Sequence, residues 1–233
     1  NSGIMRMERE ASLEIFKEAL RTGTQVTAHA IGDKANRELL DWFEAAFDAV
    51  PAAERKIAEP RWRVEHAQIL SMDDLSRFEA LGVIPSMQPS HAIGDLHFAV
   101  DRLGEQRLAG GYAWQSLIDA GAMIIGGTDA PVEVGDPMIE FYAAVTRKDL
   151  SGYSGAGWYP SEAVTRQNAL KMFTIWPAYG AFQDHGLGSL DVGKRADLSI
   201  FDMDIMRVDA PQILDAKAVM TVVDGRIIYE ARQ

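Results

Sequence analysis

One pattern recurs four times along the chain and limits its fold more than any other feature. A short apolar or β-branched run leads to a polar residue, and a helical stretch follows. Residues 24–28 lead to His29, residues 61–65 to His66, residues 83–87 to the segment from Gln88 to His91, and residues 122–125 to Asp129. Each strand-and-helix period takes roughly 30 to 40 residues, the length of a crossover unit. Strictly alternating β and α elements imply a parallel sheet with right-handed crossovers. Parallel strands end on one edge, the rim where α/β folds gather ligands. If the strands are neighbours, His29, His66, His91 and Asp129 converge on one pocket.

The helices are legible from their spacing. Residues 8–21 place Ala11, Leu13, Ile15, Phe16 and Leu20 on one side, and Gly23 follows as a C-terminal stop. Residues 34–50 carry Leu39, Leu40, Trp42, Phe43, Ala46 and Phe47, with Asp33 as the expected cap. Ser71 is expected to cap a helix running to Leu81, with Asp73 and Asp74 in its first turn and Gly82 closing it. Residues 92–110 read as a long irregular loop, of the kind that borders active sites. Residues 112–120 are predicted to be helical, as is a stretch from Asp136 and Pro137 to Arg147. Thr165 is predicted to cap a helix through Met172, and Pro177 to start or bend another turn.

The tail changes character. Residues 188–197 are a run of turns, residues 198–201 form a strand, and residues 218–223 and 226–229 form a hairpin. Asp224-Gly225 joins them, a strong two-residue turn signal.

Composition removes several classes of function. The 233 residues carry a net charge of −11, with basic residues scattered, so neither nucleic acid nor an anionic membrane is an expected partner. No apolar stretch approaches the ~20 residues of a bilayer crossing. The chain has no cysteine, which excludes disulfides and thiolate sites and fits a reducing, cytoplasmic setting. Any metal must therefore be held by His, Asp and Glu. The opening Asn1-Ser2-Gly3 has no initiator methionine and no signal peptide, as expected of a fragment, a processed chain or the ordered part of something longer.

Six segments in order resemble a known family: HAIGDKA at 29–35, RVEHAQ at 63–68, MQPSH at 87–91, GGTDAPV at 126–132, NALKMFT at 168–174 and GSLDVGKRADL at 188–198. Together they are similar to the C-terminal part of amidohydrolase family 3, which includes N-substituted formamide deformylase-like enzymes. The resemblance implies an α/β fold: the second half of a metal-dependent hydrolase (β/α)8 TIM barrel over residues 1–185, and the C-terminal strands of a composite β-sandwich over residues 186–233. It implies a divalent metal, zinc in most members. His29 and His66 would be metal ligands on barrel strands 5 and 6. Asp129 would close strand 8, touching metal and hydrolytic water. Gln88 and His91 would face the substrate.

Residue chemistry leaves some roles open. His91 is a substrate contact or a partner within its own loop. Asp33 is a helix cap or a support for a metal ligand. Arg147 binds substrate or pairs with a rim carboxylate. His97 and His185 read as surface residues. Family members also carry a His-x-His pair on strand 1, and no His-x-His occurs here. Two readings follow. One is a hydrolase of non-peptide C–N bonds (an amide, formamide or cyclic amide), completed by a homodimer or by a complementary N-terminal half. The other is a truncated, inactive remnant.

Overall fold

The computed structural model describes residues 3–232, so Asn1, Ser2 and Gln233 lie outside the described residues. In chain order the elements are α1 (Arg9–Thr22), β1 (Thr27–Ala30), α2 (Asp33–Ala49), β2 (Arg63–His66), α3 (Leu75–Leu81), β3 (Ile84–Met87), α4 (Pro89–Asp95), α5 (Ala99–Leu103), α6 (Glu105–Leu108) and α7 (Trp114–Asp119). There follow β4 (Ile125–Gly126), α8 (Pro137–Thr146), α9 (Arg166–Met172), α10 (Ile175–Gly180), β5 (Leu198–Phe201), β6 (Ala218–Val223) and β7 (Arg226–Glu230). Two units organise them. Among the described residues the first comprises residues 3–87 and 98–124, and the second residues 88–97 and 125–232.

In the first unit β1, β2 and β3 pair side by side, all parallel. The helices pack against them through an aromatic cluster. Phe16 of α1 and Phe43 and Phe47 of α2 all meet the ring of Trp62, with centroids 5.0–5.6 Å away. Trp62 is fully buried, and its indole N–H donates to the Thr24 carbonyl at 3.3 Å. Gly23 adopts the left-handed conformation that ends α1, and the Thr24 N–H turns back to the Ala19 carbonyl. That closure consumes residues 24–26, so β1 begins at Thr27, later than the sequence predicts. His29 therefore sits inside the strand and not beyond it.

A buried acid fastens α3 to α2. Asp74, 2% exposed, accepts from Arg37 Nε at 2.9 Å and from Arg77 at 3.2 Å, while Arg77 also reaches Asp41 and Glu44. Ser71 makes no side-chain cap, and a short 3-10 turn over Met72–Asp74 starts the helix instead. The expected irregular loop at 92–110 is largely helical, in three short pieces, α4 to α6. None is long enough to show an apolar period in sequence, which is why it reads as a loop. The backbone here is tight. Leu70 N–H bonds the Gly110 carbonyl, and a Cβ at Gly110 would lie 2.0 Å from the Leu70 oxygen, so only glycine fits.

In the second unit α8 is capped by Asp136, whose carboxylate accepts the Met138 N–H at 2.8 Å. It ends at Arg147, which is left-handed. The expected strand at 122–125 is reduced to the two residues of β4. Thr165 caps α9 by accepting the Asn168 N–H. The tail matches its sequence: β5, β6 and β7 make an antiparallel three-stranded sheet. Asp224 and Gly225 both have positive φ, the conformation of a type I′ turn. No helix among the described residues is long and apolar enough to cross a membrane.

Candidate metal centre

Register explains why one sheet face of the first unit is polar. Thr27 pairs with Arg63, His29 with Glu65 and Glu65 with Ser86, so these side chains share a face. Ala28, Ala30, Val64, Pro85 and Met87 take the other. Glu65 accepts from Thr27 Oγ1 at 2.6 Å and Arg63 Nε at 3.1 Å. Burial pushes this carboxyl up, but hydrogen bonds from Ser86 and Thr27 and the Arg63 charge outweigh it and hold its pKa below the usual glutamate value. Glu65 is thus a fixed anion on the strand beside His29, on the same face.

By register His66 faces Ala30, on the apolar side. Its backbone does not continue as a strand: φ is +76° at His66 and +43° at Ala67. This turn brings the imidazole back over the polar face. His66 Nε2 lies 2.9 Å from His29 Nδ1, with the rings stacked at 5.0 Å. Two nitrogens on one tetrahedral zinc, at ~2.0–2.1 Å each, would be ~3.3 Å apart. The pair fits a shared divalent ion to within a few tenths of an ångström.

Asp33 lies close by in sequence but does not cap α2. Gly32 is the N-cap, and Asp33 is gripped by the Arg107 fork at 2.6 and 2.9 Å. Arg107, together with the Lys34 N–H, holds the Asp33 carboxyl below its ordinary pKa, against the cost of burial.

In the second unit Asp129 sits on a turn with φ +56°, and its carbonyl accepts the Val132 N–H. Its Oδ2 lies 3.7 Å from His91 Nε2, and Glu133 Oε1 lies equally far from the same nitrogen. His91 is thus flanked by two carboxylates. Glu133 carries no motif, and its one signal in the sequence is its place four residues beyond Asp129. Gln88 is 7% exposed and forms the N-cap of α4. Arg147, read from sequence as a substrate or rim contact, is 1% exposed. Its Nε–H donates to the Trp158 carbonyl at 2.8 Å and its guanidinium lies 5.3 Å from the Trp158 ring centre, so it braces the loop after α8. His97 is exposed and pairs with Asp149 at 3.0 Å, and His185 is exposed.

Glu140 of α8 is a buried acid that no sequence pattern marks. It is 1% exposed and accepts the Ser90 N–H at 2.8 Å. Burial raises its pKa to about 7; Ser90 opposes this, and the Glu133 and Asp136 charges add to it. A raised folded-state value means the native protein keeps a proton that the unfolded chain has lost. The contribution of this group is therefore full below about pH 4.5 and is lost as pH rises through about 7, on the order of 3 kcal/mol. Denaturant melts from pH 5 to 8 should show that slope in the native chain and a flatter one in Glu140→Gln.

A model described as the amidohydrolase family matches residues 2–229. The chain belongs to that family. Among curated relatives, this amidohydrolase chain is 34% identical over 98% of its length to Protein LONG AFTER FAR-RED 3 of Arabidopsis thaliana, covering 38% of that protein. It is 30% identical over 91% of its length to N-substituted formamide deformylase of Arthrobacter pascens, again covering 38%. A crystal structure of a metal-dependent hydrolase from Pyrococcus horikoshii OT3 aligns with a TM-score of 0.76 at 32% identity, over 90% of this chain and 40% of that one. The chain thus spans about two-fifths of the length of these relatives.

Proposed function

We propose that this chain forms part of a metal-dependent hydrolase of non-peptide C–N bonds, with an amide, a formamide or a cyclic amide as substrate. The observation that carries the reading is the His29–His66 pair, whose ring nitrogens stand 2.9 Å apart on the polar face of a parallel sheet. The family supports it, as do relatives named as a formamide deformylase and a metal-dependent hydrolase.

In this proposal His29, His66 and Asp129 are ligands of one divalent ion, with zinc favoured by two imidazoles and a carboxylate. Such an ion supplies Lewis acidity, acidifying a water and polarising a carbonyl. The residues do the rest. Glu65 keeps negative charge on the strand beside His29. Asp129 takes the proton of the attacking water and passes it to the leaving nitrogen. His91, between Asp129 and Glu133, donates a ring N–H to the substrate carbonyl. Gln88 supports the start of the helix that carries His91.

The wider fold is proposed with it: residues 1–185 as half of a (β/α)8 barrel and residues 186–233 as strands of a composite β-sandwich. Ile227, Ile228 and Tyr229 of β7 are 50–64% exposed, an apolar edge of the kind that pairs with further strands. We therefore expect a homodimer or a complex with a complementary half, read as a mass above 25.6 kDa in light scattering. A monodisperse monomer would count against it. The absence of cysteine favours a reducing compartment as the place of action.

Metal analysis of the purified chain, combined with a panel of formamides and cyclic amides, tests the function. Stoichiometric metal with turnover, both lost in His66→Ala, supports the hydrolase. No metal and no turnover supports the inactive remnant.

A further inference from the structure

Within the second unit a cleft of about 190 Å³ opens between α4, the turn after Asp129 and the start of α8. It is smaller than the ~300 Å³ of a drug-sized pocket, so it suits a single short substituent. Its walls combine two chemistries. Ile93, Val134, Ile139 and Leu150 supply aliphatic surface, while Glu133, Asp136, Glu140 and Asp149 supply carboxylates, the last already engaged by Ser151, the Tyr153 N–H and His97. Asp136 is engaged as the cap of α8. Glu133 faces His91 on one side and the cleft on the other, which joins the cleft to the proposed catalytic turn.

Carboxylates alone would not make this a site. The second observation is Ser90, which lines the cleft, is 5% exposed, and whose Oγ has no hydrogen-bond partner. The hydroxyl lies near the Glu140 carboxyl without bonding geometry. A buried hydroxyl without a partner costs on the order of 1–3 kcal/mol unless a ligand meets it. Here a buried acceptor and a buried carboxylate stand together at the end of an aliphatic slot. A metal ion is a poor match. Glu133, Asp136 and Glu140 do not gather into a metal-ligating group, and aliphatic walls offer an ion nothing.

We propose that this cleft recognises a primary alkylammonium group, and that the substrate of the hydrolysis carries such a basic substituent. The ammonium has three N–H donors. They would reach Glu140, Ser90 Oγ and Glu133, while the alkyl stem lies against Ile93, Ile139 and Leu150. The net charge of −11 would also draw a cationic substrate toward the chain. The proposal rests on the hydrolase reading for its substrate, but its test does not need turnover.

The test is binding of n-butylammonium, with n-butanol as the neutral match, to the intact chain at pH 8, followed through the Ser90 and Glu140 amide signals by NMR. Butylammonium is expected to shift both saturably, and butanol to bind at least tenfold more weakly. Glu140→Gln keeps an acceptor for the Ser90 N–H and should weaken butylammonium at least tenfold, and Ser90→Ala should weaken it several-fold. Asp129→Asn, which disables the proposed hydrolysis, should leave ammonium binding within twofold; that separates failure of the cleft from failure of the hydrolase. Equal binding of butanol, unchanged affinity in a folded Glu140→Gln, or calcium shifting these signals where butylammonium does not, would each overturn the assignment.

Discussion

Asparagine in place of Asp129 is expected to reduce kcat/KM by about 10²–10⁴ in any assembly of this chain that turns over, the range associated with losing a general base. That corresponds to about 3–5 kcal/mol of transition-state stabilisation. The substitution keeps an oxygen near His91, so the turn with φ +56° should survive, helped by the Asn tolerance for that conformation. What is lost is the capacity to accept a proton from water. The measurement is steady-state kinetics beside metal content. Loss of rate with metal retained assigns proton transfer to Asp129. Loss of both assigns it chiefly as a ligand. Unchanged rate with metal retained removes it from the mechanism. Glu133, equally close to His91, is the residue that would then have to serve.

Alanine at Trp62 should cost about 3–5 kcal/mol of stability, the range for deleting a buried aromatic side chain. Trp62 is fully buried, and Phe16, Phe43 and Phe47 pack on its ring from two helices. None of these can move in to fill the space without leaving its own helix register. The indole N–H bond to Thr24, which fixes the entry to β1, disappears with it. Since β1 carries His29, disorder there should reach the metal pair. Thermal melts are expected to move down by roughly 10 °C for a chain of this size. Trp62→Phe, which keeps most of the aromatic contact, should recover more than half of the loss. A Trp62→Ala melt within 2 °C of the native one would mean that the aromatic cluster is not the stabilising core of the first unit.

Periodicity made much of the architecture legible. The spacing of Leu39, Leu40, Phe43, Ala46 and Phe47 defines α2 because an amphipathic helix must bury one stripe, and Asp224-Gly225 defines the terminal hairpin because few dipeptides accept two positive φ values. The helical pieces of residues 92–110 were not legible, since three short helices leave no period to detect. Nor was the reduction of residues 122–125 to a two-residue strand, which depends on pairing and not on composition.

The candidate site divides in the same way. Residue type and position at or just past the end of an expected strand single out His29, His66, His91 and Asp129, because a cysteine-free chain must hold a metal with His, Asp or Glu. Whether two of them meet is a matter of backbone direction. Strict alternation would send His66 to the helix side of the sheet, and the positive φ at that residue, a property of the folded turn, returns it to His29. Tertiary packing likewise decided the quieter roles. It buried Glu140 against Ser90, seated Arg147 on Trp158, and placed Asn36, fully buried, to donate to the carbonyls of Ala30, Gly32 and Ile69. These depend on contacts between residues as many as 50 positions apart, and a side chain's burial and partners are set by what the fold brings to it, which local sequence does not encode.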